Sequence, residues 1–235
     1  MSDSALVQVQ ISEGIAQLTM DDGKANALSS AMMNELDAAL TRAEAEAKAV
    51  VVVGRPGRFC AGFDLKVMMS GPEAAKGLVS QGAELLMRMY EFPLPIVAAC
   101  TGHAVAGGAL VLLSCDTRVG TAGDFKIGLN EVSIGMTVPI LAQELARDRL
   151  AAPSFTAAVL QSQLYNPTHA AAIGFLDRVE EPEGVLAAAT ETAGALAKLP
   201  KAAYAATKGR MRRKTIDHIR ATLSADLTEL TGPNS

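Results

Sequence analysis

Cysteine and histidine are scarce: the 235-residue chain holds three of each. Cys60, Cys100 and Cys115 are an odd number without CxxC spacing, and His103, His169 and His218 stand far apart. Neither pattern supplies a disulfide framework or a metal-ligand set. The thiols read as reduced packing residues in a reducing compartment, and no metal site is expected. Positive charge is also in short supply. A net charge of −4 argues against nucleic acid as a partner, because phosphate binding calls for a broad basic surface. The one basic run, "KGRMRRK" (208–214), reads as a solvated helix face. The N-terminus has no charged-then-apolar leader, and no apolar run is long enough for a membrane span, so a soluble, cytoplasmic protein with no membrane partner is expected. Nucleotide-binding signatures are missing too: "GHAVAGG" lacks GxGxxG spacing and no Walker lysine follows it.

What the chain has is apolar. Hydrophobic residues make up 49% of it, ample for one large core. "ALVQVQISEG" and "IAQLTMDDG" read as an opening hairpin. "SSAMMNELDAALTRAEAEA" has a serine cap and helical apolar spacing, and it leads into "AVVVVG", the kind of β-branched run found in strands buried on both faces. "GPEAAKGLVSQGAELLMRMYEF" predicts a second helix stopped by "PLP", and "PIVAAC" another buried strand. "TRVGTAG" and "DFKIG" read as short strands, "MTVPILAQELARD" and "PSFTAAVLQSQ" as helices. The alternation makes the fold class α/β. From residue 183 onward the pattern is helical only, broken by Pro200.

Three segments carry the chemistry: "GRFCAGFDL" (57–65), "GHAVAGGAL" (102–110) and "IGLNEVSIG" (127–135). The first two follow buried strands and put small-residue turns where backbone amides are free. Amides at a helix start carry partial positive charge, and two that converge form the smallest oxyanion hole. Gly107 and Gly108 would let an acyl carbonyl approach without a Cβ in the way. Taken singly, each glycine could equally serve a tight turn or close packing.

Together, in this order and spacing, the segments resemble the crotonase superfamily, the enoyl-CoA hydratase/isomerase family. The resemblance implies a crotonase-like spiral of ββα units with a C-terminal all-helical segment: a spiral core over 1–182 and a helical region for oligomer packing over 183–235. It implies an acyl-CoA thioester ligand and a homotrimer or dimer of trimers. It places the oxyanion amides on Phe63 and Gly107. By the same resemblance Lys24, Ala25 and Ala27 in "GKANALS" embrace the coenzyme A moiety, and Ala61, Gly62, Asp64 and Leu65 flank the thioester with Gly108. Asp64 could instead cap the following turn. Lys208 falls where the family often offers a basic residue to the CoA phosphates, with a solvated helix face as the simpler reading. His103 reads as a structural or lining residue, Cys60 as packing, and Asp116 as a buried carboxylate satisfied by backbone donors.

The family's hydratases resemble one another in carrying two glutamates. Here the first position is Leu110, an apolar wall, and the second is Glu131 in "GLNE". Hydration needs one group to hold water and another to deliver a proton, whereas moving a double bond from position 3 to position 2 needs a single base. "IGLNE" is similar to the single-glutamate Δ3,Δ2-enoyl-CoA isomerases. The expectation is therefore isomerisation by Glu131 with no cofactor beyond the CoA of the substrate. Hydration, thioester hydrolysis, decarboxylation and non-catalytic acyl-CoA binding remain alternatives. The segments 65–81 and "MTVPILA" are expected to line the acyl-tail pocket.

Overall fold

The computed structural model describes residues 5–230. Strands β1 (Val7–Ser12) and β2 (Ile15–Met20) form the expected antiparallel hairpin, with Val7 opposite Met20. Helix α1 (Ser30–Glu46) starts on Ser29, whose hydroxyl accepts the Met32 N–H. Then β3 (Ala49–Val53) and β4 (Gly57–Cys60) lead through α2 (Leu65–Met68) to α3 (Pro72–Glu91). The next unit is β5 (Ile96–Cys100), β6 (Gly102–Val105) and α4 (Gly107–Ser114). The third is β7 (Thr117–Thr121), β8 (Ile127–Gly128), a 3-10 turn at Val132–Ile134 and α5 (Ile140–Arg149). The chain continues through α6 (Phe155–Val159), α7 (Pro167–Ile173), β9 (Arg178–Glu180), α8 (Val185–Leu196) and α9 (Lys201–Leu230).

Each ββα unit gives its first strand to one sheet and its second to another. The large sheet runs β1-β2-β3-β5-β7-β9, and the small one runs β4-β6-β8. Beyond the hairpin the named strands of the described residues pair in parallel, as crossovers through helices require. This repetition is the ββα spiral. The strands β4, β6 and β9 are not apparent in the sequence pattern; the first two read there as small-residue turns. "MTVPILAQELARD" is helical only from Ile140, after Pro139.

Strand β3 is buried on both faces, as its unbroken valines suggest. Val50 and Val52 belong to the main core, which also takes in Met33, Leu36 and Leu86. Val51 and Val53 join Val97 and Val119 in a second cluster sealed by Val185, Ala189 and Ala193 of α8.

Helix α9 packs on α3 and α5 of its own chain, and its basic run is a solvated face only at Arg210, Arg213 and Lys214. Lys208 and Arg212 are buried. Lys208 Nζ lies 2.5 Å from Asp116 Oδ2 and donates to the carbonyls of Phe92 (2.8 Å) and Leu94 (2.9 Å). Arg212 pairs with Asp116 Oδ1 at 2.8 Å, and its guanidinium sits 4.1 Å from the Tyr90 ring centre. Among the described residues Asp116 accepts from one backbone donor, Ile96 N–H at 2.8 Å, and is met by two cations and the Tyr204 side chain. Lys208 is thus committed to a buried network and is not offered to a CoA phosphate. Further along the helix, Thr215 donates to Asp148 (2.7 Å) and Asp226 accepts the Ile140 N–H that opens α5 (2.7 Å).

Breaking such a pair strands two buried cations. Asp116→Asn is expected to lower unfolding free energy by about 3 kcal/mol or more. Glu91→Gln, which removes the partner of Arg220 on the surface, should cost less than about 1 kcal/mol. Urea denaturation of both variants checks this, and equal losses would refute it.

Candidate active site

The three strands of the small sheet run parallel, with Cys60 beside Ala104 and Val105 beside Gly128. They therefore end at one edge, and the segments that follow them, 61–65, 106–110 and 129–131, emerge together. An isolated parallel bridge adds Leu28 on the far side of β4.

The turn after β4 is held by that bridge. Leu28 N–H donates to Gly62 O (2.8 Å), and Leu28 O accepts Asp64 N–H at 3.3 Å. With both neighbouring peptide groups facing Leu28, the Phe63 N–H points to the other side, where α4 begins. Gly62 has φ +89°, which a side chain would strain. A Cβ there would also lie 3.2 Å from the Gly107 nitrogen and 3.1 Å from Val105 O. The two turns thus touch backbone to backbone. Neither the Phe63 nor the Gly107 N–H donates a hydrogen bond among the described residues. Gly107 is the first residue of α4, where amides have no acceptor within the helix. Just before it, Ala106 takes φ 49°, ψ −124°, a strained backbone for a residue with a Cβ.

Gly108 serves a different purpose from the one its pairing with Gly107 suggests. A Cβ on it would stand 2.0 Å from the Cys60 carbonyl oxygen. The missing side chain makes room for β4. Leu110, two residues on, is buried in the main core.

Glu131 follows β8 and precedes the 3-10 turn without capping it. It is only 7% exposed. Its Oε2, like Oδ1 of neighbouring Asn130, is buried with no hydrogen-bond partner among the described residues. Burial raises its pKa above the ordinary glutamate value, and the backbone amides of residues 131 and 130 offset part of that rise. A buried carboxyl with an empty oxygen is poised to exchange a proton.

The loop 22–29 is ordered by residues that the sequence pattern did not single out. Asp22 accepts from the amides of Lys24 (2.7 Å), Asn26 (2.9 Å) and Ala27 (3.2 Å). Asn26, fully buried at φ +54°, donates to Met20 O (2.9 Å) and Phe59 O (3.2 Å). Ala25 O takes the Ala61 N–H at 3.1 Å. Lys24 and Ala61 are exposed, Ala25 and Ala27 half-buried. Asp64 caps α2 through the Lys66 N–H (2.9 Å), and Leu65 is 62% exposed. His103 Nδ1 accepts the Lys126 N–H (2.9 Å), a structural task. Burial pushes the Cys60 thiol up to about 12, which removes it as a nucleophile. A cavity of about 540 Å³ is lined by Val132, Met136, Val138, Phe155 and Val159 among others. It includes residues of "MTVPILA" and none of the 65–81 segment.

A family model described as enoyl-CoA hydratase/isomerase matches residues 10–234. The chain belongs to that family. It is an enzyme of enoyl-CoA isomerase/hydratase chemistry, with a crotonase fold. An enoyl-CoA hydratase/isomerase family protein from Pseudomonas syringae superposes with TM-score 0.94 at 44% identity, covering 96% of this chain and 98% of that one. An enoyl-CoA hydratase from Mycobacterium ulcerans gives 0.90 at 38% identity over 94% and 99% of the two chains. Human mitochondrial enoyl-CoA delta isomerase 1 is 29% identical over 231 residues, 96% of this chain and 76% of that protein.

A carboxyl whose pKa is raised by folding holds its proton more tightly in the native state than in the unfolded chain. Between the two values the unfolded state binds fewer protons, so stability falls as pH rises. Glu131→Gln is therefore expected to melt higher than the parent at neutral pH, with the difference vanishing below the unfolded glutamate value. Thermal denaturation from acid to neutral pH reads this. A lower melting temperature for the variant at neutral pH would contradict it.

Proposed function

We propose that this enzyme is a Δ3,Δ2-enoyl-CoA isomerase. The observation that supports this reading best is a single buried carboxyl with a free oxygen, Glu131, beside the two-turn edge, where position 110 offers leucine in place of a second acid. The thioester oxygen sits between the Phe63 and Gly107 amides. Glu131 takes a proton from C2, the electron pair moves onto the thioester oxygen as an enolate, and the amides hold the new charge. The double bond then lies between C2 and C3 as the same carboxyl returns the proton at C4. No metal or redox cofactor is required, because CoA arrives with the substrate. Backbone groups of Lys24, Ala25 and Ala27 embrace the CoA, while Gly62, Ala61, Asp64 and Leu65 border the thioester. The buried leucine keeps water from being held where a hydratase would activate it. In this reading the enzyme works in the cytoplasm as a homotrimer or dimer of trimers, with the region 183–235 contributing to subunit packing.

The test offers purified enzyme a 3-enoyl-CoA and, separately, a 2-enoyl-CoA. Conversion of the first without hydration of the second is expected. Hydration of the second at a comparable rate would make it a hydratase. Glu131→Gln should lower kcat by roughly a hundredfold or more with KM nearly unchanged. The acid limb of the parent's kcat/KM profile should fall above the ordinary glutamate pKa and disappear in the variant.

A further inference from the structure

Helix α3 carries two interior glycines, Gly77 and Gly82, and glycine weakens a helix relative to alanine. Gly77 is exposed, with nothing within 4 Å of where a Cβ would be. Gly82 is buried, and its Cβ would stand 2.2 Å from Phe63 Cε1 and 2.5 Å from Cζ, with Met33 Sδ at 3.5 Å. The opposite flank of the Phe63 ring faces Gly107, where a Cβ would lie 3.4 Å from Cδ2. The ring thus fills the space between the middle of α3 and the first residue of α4. The ring belongs to the residue whose amide is one oxyanion donor, and it rests on the residue that supplies the other.

We propose that Gly82 is a positioning residue for the oxyanion hole: its bare Cα seats the Phe63 ring, and the seated ring sets the Phe63 and Gly107 amides at the spacing an enolate oxygen needs. The inference rests on the reading of those two amides as the oxyanion pair. A methyl group at position 82, 2.2 Å from Phe63 Cε1, must push the ring by more than an ångström to reach ordinary van der Waals contact. The Gly62 carbonyl and Asp64 amide are tied to Leu28, which holds the two peptides beside Phe63, so the displaced ring presses on its other neighbour, Gly107, and shifts that amide relative to the Phe63 amide. Misplacement of that size at a reacting centre costs about a hundredfold in rate.

Four variants test this: Gly82→Ala, Gly77→Ala, Phe63→Leu and the Gly82→Ala/Phe63→Leu double. Isomerisation kinetics are measured together with the ultraviolet band of a bound 3-ketoacyl-CoA enolate, which reports on the amide pair without turnover. Gly82→Ala should lower kcat about 10- to 100-fold with KM changed less than about threefold, and should weaken the enolate band. Gly77→Ala, whose methyl group meets nothing within 4 Å, should melt higher than the parent, in contrast to Gly82→Ala. In the Phe63→Leu background, where the clash is gone, adding Gly82→Ala should change kcat by less than about threefold. This comparison stands even if the single Gly82→Ala variant folds poorly. A Gly82→Ala protein with parental kcat and enolate band overturns the proposal, as does an undiminished loss in the Phe63→Leu background. A parent protein that gives no enolate band overturns the oxyanion reading itself, which separates the two failures.

Discussion

Everything at the active edge depends on two turns approaching each other with no side chain between them. The Gly62 turn and the start of α4 meet at backbone distance, and Gly108 brings α4 against the Cys60 carbonyl in the same way. Such closeness is possible only because β4 and β6 are parallel neighbours that stop together. Parallel neighbours in turn require a crossover through helices, which the ββα spiral supplies with each unit. The large sheet and its helices bury the apolar residues. The small sheet contributes little bulk and aims three chain ends at one place.

A second constraint acts in the opposite sense. The same burial that protects Glu131 from water raises its pKa, and ionising it inside the protein works against the fold. Its partner-free oxygen is a local fault in hydrogen bonding that the rest of the molecule carries. Strain at Ala106 adds to this. Compensation lies far from the edge, in the apolar core and in the α9 anchor, where Asp116 is matched by Lys208 and Arg212. Satisfied buried charge supports the scaffold, whereas Glu131 keeps a buried, unpartnered oxygen after β8.

Much of this was legible in the sequence, for physical reasons that differ by element. The β3 valines, the Ser29 cap and the hairpin are local signals, set by neighbours a few residues apart. The site motifs were visible because backbone geometry restricts residue type: glycine at φ +89°, and small residues where chains touch. Strands β4 and β6 were hidden because four-residue stretches with glycine and polar residues look like turns until a partner strand is known. The Asp116 network was hidden because its members are about ninety residues apart in sequence; only the four-residue spacing of Lys208 and Arg212, on one helix face, hinted at a shared partner. Asn26 escaped notice as a polar loop residue, although asparagine is one of the few residues that tolerates positive φ.

The division between backbone and side chain also bears on how reaction type is encoded. In the proposed reading the oxyanion donors are main-chain amides, whose placement follows from the fold more than from any one side chain. Acids are side chains, and each depends on the residue at one position of the chain. Proteins named as hydratases and as isomerases accordingly share this architecture with high structural similarity, and their overall shape does not separate the two activities. In the proposed reading, what separates them is whether an edge that holds an enolate has one proton carrier or two. In this chain position 110 lies inside the apolar core, where an ionised carboxylate would lack both water and a partner. A second acid there would require new polar partners as well as one substitution. The single-carboxylate state is therefore a property of the packing around α4 as much as of residue 110.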